Sequence, residues 1–246
     1  MKDYLIDTHA HLDMLDNVDC TGVEKIVIPS VEEKTMDKVI QIANDNENVF
    51  AMVGIFPSEA RTYSDEIENR MIERAKNPKV VAVGEIGLDY YWDTSFNDLQ
   101  KEIFAKQIHL ANKLNLPIVV HNREAHKDTF DILKAENKGS KVLYHCFSGS
   151  VEYMRECVKE GWMIAIGGVV TFKNAQKIKD VTKEIPLSHL VLETDSPYLT
   201  PVPFRGKPNK PEYIKYVAEE IANIKEMPTA ELIDITTRNA EEFFGI

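Results

Sequence analysis

Cysteine is scarce in this chain. Its three copies, Cys20, Cys146 and Cys157, are too few and too scattered for a disulfide framework, which points to the cytoplasm. No apolar run approaches the roughly 20 residues that a membrane-spanning helix needs. No signal or transit peptide is expected either, because an apolar strand pattern starts within a few residues of Met1. Basic residues are outnumbered: 29 Lys and Arg stand against 40 Asp and Glu, a net charge of −11. That balance argues against a broad cationic face for nucleic acid or for an anionic membrane. A polyanionic substrate would need local positive charge, from metal ions or a small Lys/Arg cluster. Linkers, low-complexity stretches and internal boundaries are missing too, so residues 1–246 read as a single domain with no obligate protein partner evident.

What the chain does have is alternation. Its 246 residues are 43% hydrophobic, ample for a real core and close to the length of an eightfold β/α barrel. Short apolar runs rich in Val and Ile occur at Tyr4–His9, Lys25–Pro29, Val49–Ile55, Val80–Glu85, Pro117–His121, Lys141–His145, Trp162–Ile166 and His189–Asp195. Continuous apolar runs of this length suit parallel strands buried on both faces. Helical stripes follow, such as Met36/Val39/Ile40/Ala43, Ile67/Met71/Ala75 and Leu99/Ile103/Phe104/Ile108/Ala111. Further stripes are Val151/Met154/Val158, Ala175/Ile178/Val181 and Tyr213/Ile214/Val217/Ile221, and a last helix runs from Thr229, as N-cap, to about Phe243. Eight strands alternating with helices predict an α/β fold, a (β/α)8 TIM barrel. The stretch from Leu12 to Val23 is too short for a full helix, so the first β/α connection is shortened.

The chemistry is expected at strand ends, where such barrels place their sites. Asp7-Thr8-His9-Ala10-His11 ends the first run, and strand alternation turns Asp7, His9 and His11 to one side. Two imidazoles so spaced can close on one metal ion, with Asp7 behind them holding an imidazole in its metal-binding tautomer. Glu85, His121, His145 and Asp195 end four later runs. Each alone has an ordinary explanation: a turn carboxylate, a satisfied core histidine, an Asx-turn before Ser196-Pro197. Six at strand ends do not. Together they can hold two divalent ions about 3.5–4 Å apart. The remaining histidines act as a control, since His109 and His126 fall in helical patterns and His189 at the start of its strand.

Several blocks resemble the TatD family of metal-dependent deoxyribonucleases. They are Asp7-Thr-His-Ala-His-Leu-Asp13, Gly84-Glu-Ile-Gly-Leu-Asp-Tyr90, His121-Asn-Arg-Glu-Ala125, His145-Cys-Phe-Ser-Gly149 and Glu193-Thr-Asp-Ser-Pro197. Phe204-Arg-Gly-Lys-Pro-Asn209 and Arg238-Asn-Ala-Glu-Glu-Phe-Phe-Gly245 extend the likeness to the C-terminus. The resemblance implies a barrel of the amidohydrolase type. It assigns His9, His11, Glu85 and Asp195 to one metal and Glu85, His121 and His145 to a second, Glu85 bridging. Arg123 and Arg205 would then face the substrate phosphate. One departure is Phe56, in Gly54-Ile55-Phe56-Pro57, where the family usually has histidine.

Apart from the resemblance, Pro201 to Lys210 contains Arg205, Lys207 and Lys210 and no acid, a positive patch beside Asp195 in an acidic chain. Tyr90, Tyr91 and Trp92 offer either base stacking or loop packing. The expected function is hydrolysis of DNA phosphodiester bonds, exonucleolytic, by a hydroxide activated at two divalent ions (Zn, Mn, Mg, Fe or Ni). Asp195 would act as the base, with Asp7 and Glu193 supporting the ligands from one pleat below. A small-molecule amidohydrolase or lactonase using the same rim, and a non-catalytic metal- or nucleic-acid-binding protein, are the alternatives.

Overall fold

A computed structural model of the chain describes residues 4–15 and 20–246. In chain order the main elements are β1 (Ile6–Asp7), β2 (Lys25–Pro29), α1 (Glu33–Asp45), β3 (Val49–Val53), α2 (Asp65–Arg74), β4 (Val80–Asp89), α3 (Asn97–Leu114) and β5 (Ile118–Arg123). They continue with α4 (His126–Glu136), β6 (Val142–Tyr144), α5 (Val151–Lys159), β7 (Met163–Ile166), α6 (Gln176–Glu184), β8 (Leu190–Leu192), α7 (Ile214–Ile224) and α8 (Thr229–Phe244). Eight parallel strands in chain order, with helices between them, make this a (β/α)8 TIM barrel. No α-helix separates β1 from β2 among the described residues; a short 3-10 turn at Leu12–Met14 takes its place, and residues 16–19 of that connection lie outside the described residues. No helix of the described residues is long and apolar enough to cross a membrane.

The chain groups into two compact units, residues 29–144 and residues 1–28 with 145–246. In the first, β3, β4, β5 and β6 pair in parallel. The α1 stripe Met36/Val39/Ile40/Ala43 is buried, as its spacing predicts. Two buried amides on α3 tie strand ends in place. Gln107 binds both the N–H and the C=O of Ile55, at 2.8 and 3.0 Å, and Gln100 does the same for Asp89, at 2.9 and 3.0 Å. Each amide thus satisfies backbone groups where the ladder runs out. Between Val83 and Ile86 the β4–β5 register shifts, a bulge that re-aims the side chains around Glu85. At Gly87, with φ +146°, an added Cβ would lie 1.9 Å from the His121 carbonyl oxygen, so only glycine fits.

In the other unit β1 pairs with β2 and β7 with β8, all parallel. The chain beyond β1 runs along the chain beyond β8. Thr8 N–H donates to Leu192 O at 3.1 Å, Asp195 N–H to His9 O at 2.9 Å, and His11 N–H to Ser196 O at 2.7 Å. The loop after β7 presses so closely on the loop after β8 that a Cβ at Gly168 would lie 2.1 Å from Leu199 O.

Four local expectations need correction. β4 runs on to Asp89, so Glu85 sits inside its strand at the bulge, and His121 is likewise two residues short of the end of β5. β1 and β8 stop early, leaving His9, His11 and Asp195 on the irregular chain just past their ends. α4 supplies a helix between β5 and β6 that the apolar stripes did not mark, because only Thr129 and Leu133 of it are buried. Finally, Pro228 is the N-cap of α8 and Thr229 its first helical residue, since proline's fixed φ suits that boundary and Thr229 makes no side-chain cap.

Candidate metal centre

The β1–β8 seam holds one cluster. His9, His145 and Asp195 each bring a ligand atom within 4.8 Å of the others. His9 and His145 are buried, and their rings stack at 3.9 Å between centroids, 17° from parallel. His11, also buried, places Nε2 3.5 Å from Asp195 Oδ1. Ligands of one tetrahedral zinc ion lie about 3.4 Å apart, so imidazoles and a carboxylate at this spacing need little movement to share an ion. The donor set fits a divalent ion that accepts nitrogen as well as oxygen.

The backbone shapes this cluster. Asp195 has φ +55°, in the left-handed region that a non-glycine residue enters at a cost of roughly 1–3 kcal/mol. Its carbonyl accepts from Tyr198 N–H at 2.8 Å, closing a turn over Ser196-Pro197. Fully buried Asn209 then clamps the same turn, donating to Thr194 O at 2.8 Å and Tyr198 O at 2.7 Å. Burial alone would raise the Asp195 carboxyl; the hydrogen bond with His11 and the neighbouring imidazoles of His145 and His9 hold it below the ordinary carboxylate range.

Asp7 does not reach an imidazole ring. Its carboxylate accepts from Thr194 N–H at 2.9 Å, Thr194 Oγ1 at 2.5 Å and His9 N–H at 3.2 Å. It therefore orders the backbone that carries the candidate ligands, not a ring tautomer. Complete burial pushes its carboxyl up to about 8, against the three donors, and nearby Glu193 adds to the rise. Glu193 is placed beside a ring: Oε2 lies 3.6 Å from His145 Nδ1, while Oε1 accepts from Cys146 N–H at 2.7 Å. Cys146 itself is half-buried, with φ +44°.

The other unit contributes a second constellation. Glu85 Oε1 lies 2.8 Å from His121 Nδ1, and Asp89 Oδ2 lies 3.0 Å from His121 Nε2. The His121 ring is thus gripped between two buried carboxylates. Burial would raise Asp89, yet its hydrogen bonds with His121 and Tyr91 N–H, and the charge of Arg123, keep it low and ionised. Phe56 packs edge-on against the same imidazole, centroids 4.5 Å apart. Arg123, at the end of β5, lies 3.7 Å over the Tyr91 ring and 5.4 Å from that of Trp92. Tyr90 is loop packing, donating to Asp128 at 2.8 Å, whereas Tyr91 and Trp92 are exposed.

The basic loop is exposed, with Arg205 stacked 3.8 Å over Phe172 and Lys207 5.9 Å from Phe204. Lys210 leans to Glu212 at 3.9 Å, an acid just beyond the acid-free stretch. The three control histidines stay apart: exposed His109 pairs with Glu136, His126 opens α4, and His189 ends a 3-10 turn before β8. Sequence reasoning missed Asp89 and Asn209. Asp89 follows Glu85 by four residues, which strand alternation puts on the same face, so that signal was available. Because outer carboxylates fix a ligand imidazole, Asp89→Asn should weaken metal binding about 10- to 100-fold while Phe56→Leu leaves it unchanged; isothermal titration with Zn²⁺ or Mn²⁺ reads this directly.

The chain matches the family described as TatD related DNase over residues 6–245. It is 44% identical to the uncharacterized metal-dependent hydrolase YabD of Bacillus subtilis, over 98% of this chain and 99% of that one. It is 34% identical to the uncharacterized metal-dependent hydrolase YcfH of Escherichia coli, over 99% and 96%. The crystal structure of YjjV, a TatD homologue from Escherichia coli, superposes with a TM-score of 0.93 at 30% identity, covering 100% of both chains. With its clustered histidines and carboxylates, the chain belongs to the TatD-related family of metal-dependent hydrolases.

Proposed function

We propose that this protein hydrolyses phosphodiester bonds in DNA, working in the cytoplasm as one domain over residues 1–246. His9, His11, Glu85 and Asp195 hold one divalent ion in this reading, and Glu85, His121 and His145 a second. The observation that carries it is the pairing of the His9–His145–Asp195 cluster with a basic loop that Asn209 ties to the same turn. A phosphodiester needs both, a site for ions and nearby cationic side chains.

Divalent ions bound there would polarise a phosphoryl oxygen and acidify a water. The side chains do the rest. Asp195, ionised at neutral pH, takes a proton at its carboxylate. Glu193 places a carboxylate oxygen 3.6 Å from His145 Nδ1, a negative group beside that ring. Arg123, Arg205 and Lys207 offset charge on the phosphoryl oxygens, Arg205 steadied by its seat on Phe172. The stacked seats of both arginines lower the entropy lost when a phosphate docks.

A second reading, a small-molecule amidohydrolase or lactonase, has one observation in its favour: apolar Phe56 stands against His121. The test is incubation of metal-loaded protein with 3′- and 5′-labelled DNA beside a panel of amides and lactones. Progressive shortening of DNA from one end is the expected result. Turnover of an amide or lactone with DNA left intact would overturn the proposal.

A further inference from the structure

A cavity of about 200 Å³ opens between the loop that follows β6 and the loop that follows β7. Cys146, Phe147, Gly167, Val169 and Ile178 line it with apolar surface, and Lys177 stands at its edge. Cys146 is the residue directly after His145, so the cavity begins one residue from a candidate ligand. Glu193 ties the two together, with Oε1 on Cys146 N–H and Oε2 beside the His145 ring. Lys177 is exposed and makes no ion pair or hydrogen bond among the described residues, and no acid lines the cavity.

Resting on the DNA reading, we propose that this cavity is a nucleobase subsite, holding the base of the nucleotide that flanks the scissile phosphate, with Lys177 on the next phosphate. Size decides against a whole substrate: sites for complete small ligands run to roughly 300–1,000 Å³, so this one takes a single ring system. Chemistry decides for a base. The walls are apolar enough to cover a flat heteroaromatic face, and the one charged group at the mouth is a cation, as a phosphate-linked ligand requires. An uncharged aliphatic ligand would leave Lys177 without a partner. Binding in such a cavity is tolerant of base identity, because every base has an apolar face and the lining offers few groups to read its edge.

The experiment uses metal-loaded full-length protein with two pairs of ligands. One pair is an oligonucleotide with a normal or an abasic residue beside the cleaved bond; the other is dAMP and 2-deoxyribose 5-phosphate, measured by direct binding. The wild type should favour the base-bearing member of each pair roughly ten- to a hundred-fold, in KM and in Kd. Ala175→Trp, which fills the cavity from its edge, should abolish both preferences without changing metal content. Val169→Phe fills it from another wall and replaces the first variant if that one does not fold. Equal binding of dAMP and its abasic counterpart, or a preference that survives the filled cavity, overturns the subsite. DNA cleavage without any base preference also overturns it while leaving the parent reading intact. Cavity-sensitive binding of dAMP by a protein that cleaves no DNA supports the subsite and sinks the parent reading alone.

Discussion

Asp195→Asn should lower kcat by about two to four orders of magnitude with the fold intact. The large loss follows from the proposed roles of Asp195, since the change removes the proposed proton acceptor and one candidate ligand charge together. The intact fold follows from the backbone. Asparagine is among the few residues that tolerate left-handed φ, so the turn at φ +55° survives. Its amide can still accept from His11, but it cannot neutralise an ion. His109→Ala is the matched control, because His109 is exposed on α3 and touches Glu136, not the cluster. Steady-state rates with elemental analysis of both variants decide the matter. Comparable losses in the two would mean that the reacting site lies elsewhere.

Phe56→His should raise activity on DNA roughly ten- to a hundred-fold and leave metal content unchanged. Phe56 follows Ile55, whose backbone Gln107 fixes, and its ring rests against His121 at 4.5 Å. A histidine on that backbone points a hydrogen-bond donor where phenylalanine presents only a ring edge. A hydrogen bond to a charged oxygen is worth about 1.5–3 kcal/mol, which sets the size of the gain. If Phe56 instead covers an apolar part of a different substrate, the variant gains nothing on DNA and loses turnover of an ester or lactone. Rates of both forms on both substrate classes separate the two outcomes.

The architecture was legible because strand and helix periodicities differ and alternate cleanly along this chain. The candidate ligands were legible because histidines and carboxylates recur where apolar runs stop. Their exact seats were not. Apolar runs show where burial begins, not where a ladder ends, so the extension of β4 through Gly87-Leu88-Asp89 was invisible, and with it the position of Glu85 inside the strand. Asp89 shares a strand face with Glu85 by its spacing, but its grip on His121 needs the β4–β5 register, which pairs Gly87 with His121 and which no residue type announces. Asn209 sits in a loop that reads as polar surface, yet it is fully buried; only the two carbonyls it caps explain it. The reverse error occurred at Asp7, where a carboxylate beside two histidines suggested a ring partner and the structure gives it backbone groups and Thr194.

The seam between β1 and β8 also sets a clock. Asp7 and Thr194 hydrogen-bond across a separation of 187 residues, and His9 meets Asp195 over almost the same span. At translation rates of roughly 5–20 residues per second, about ten to forty seconds pass between the synthesis of the first half of this cluster and the second. For that interval the nascent chain carries His9 and His11 without Asp195, the candidate ligand that closes their cluster. A cluster built this way is assembled only when the last strand emerges. The complete cluster and the complete chain then arrive together.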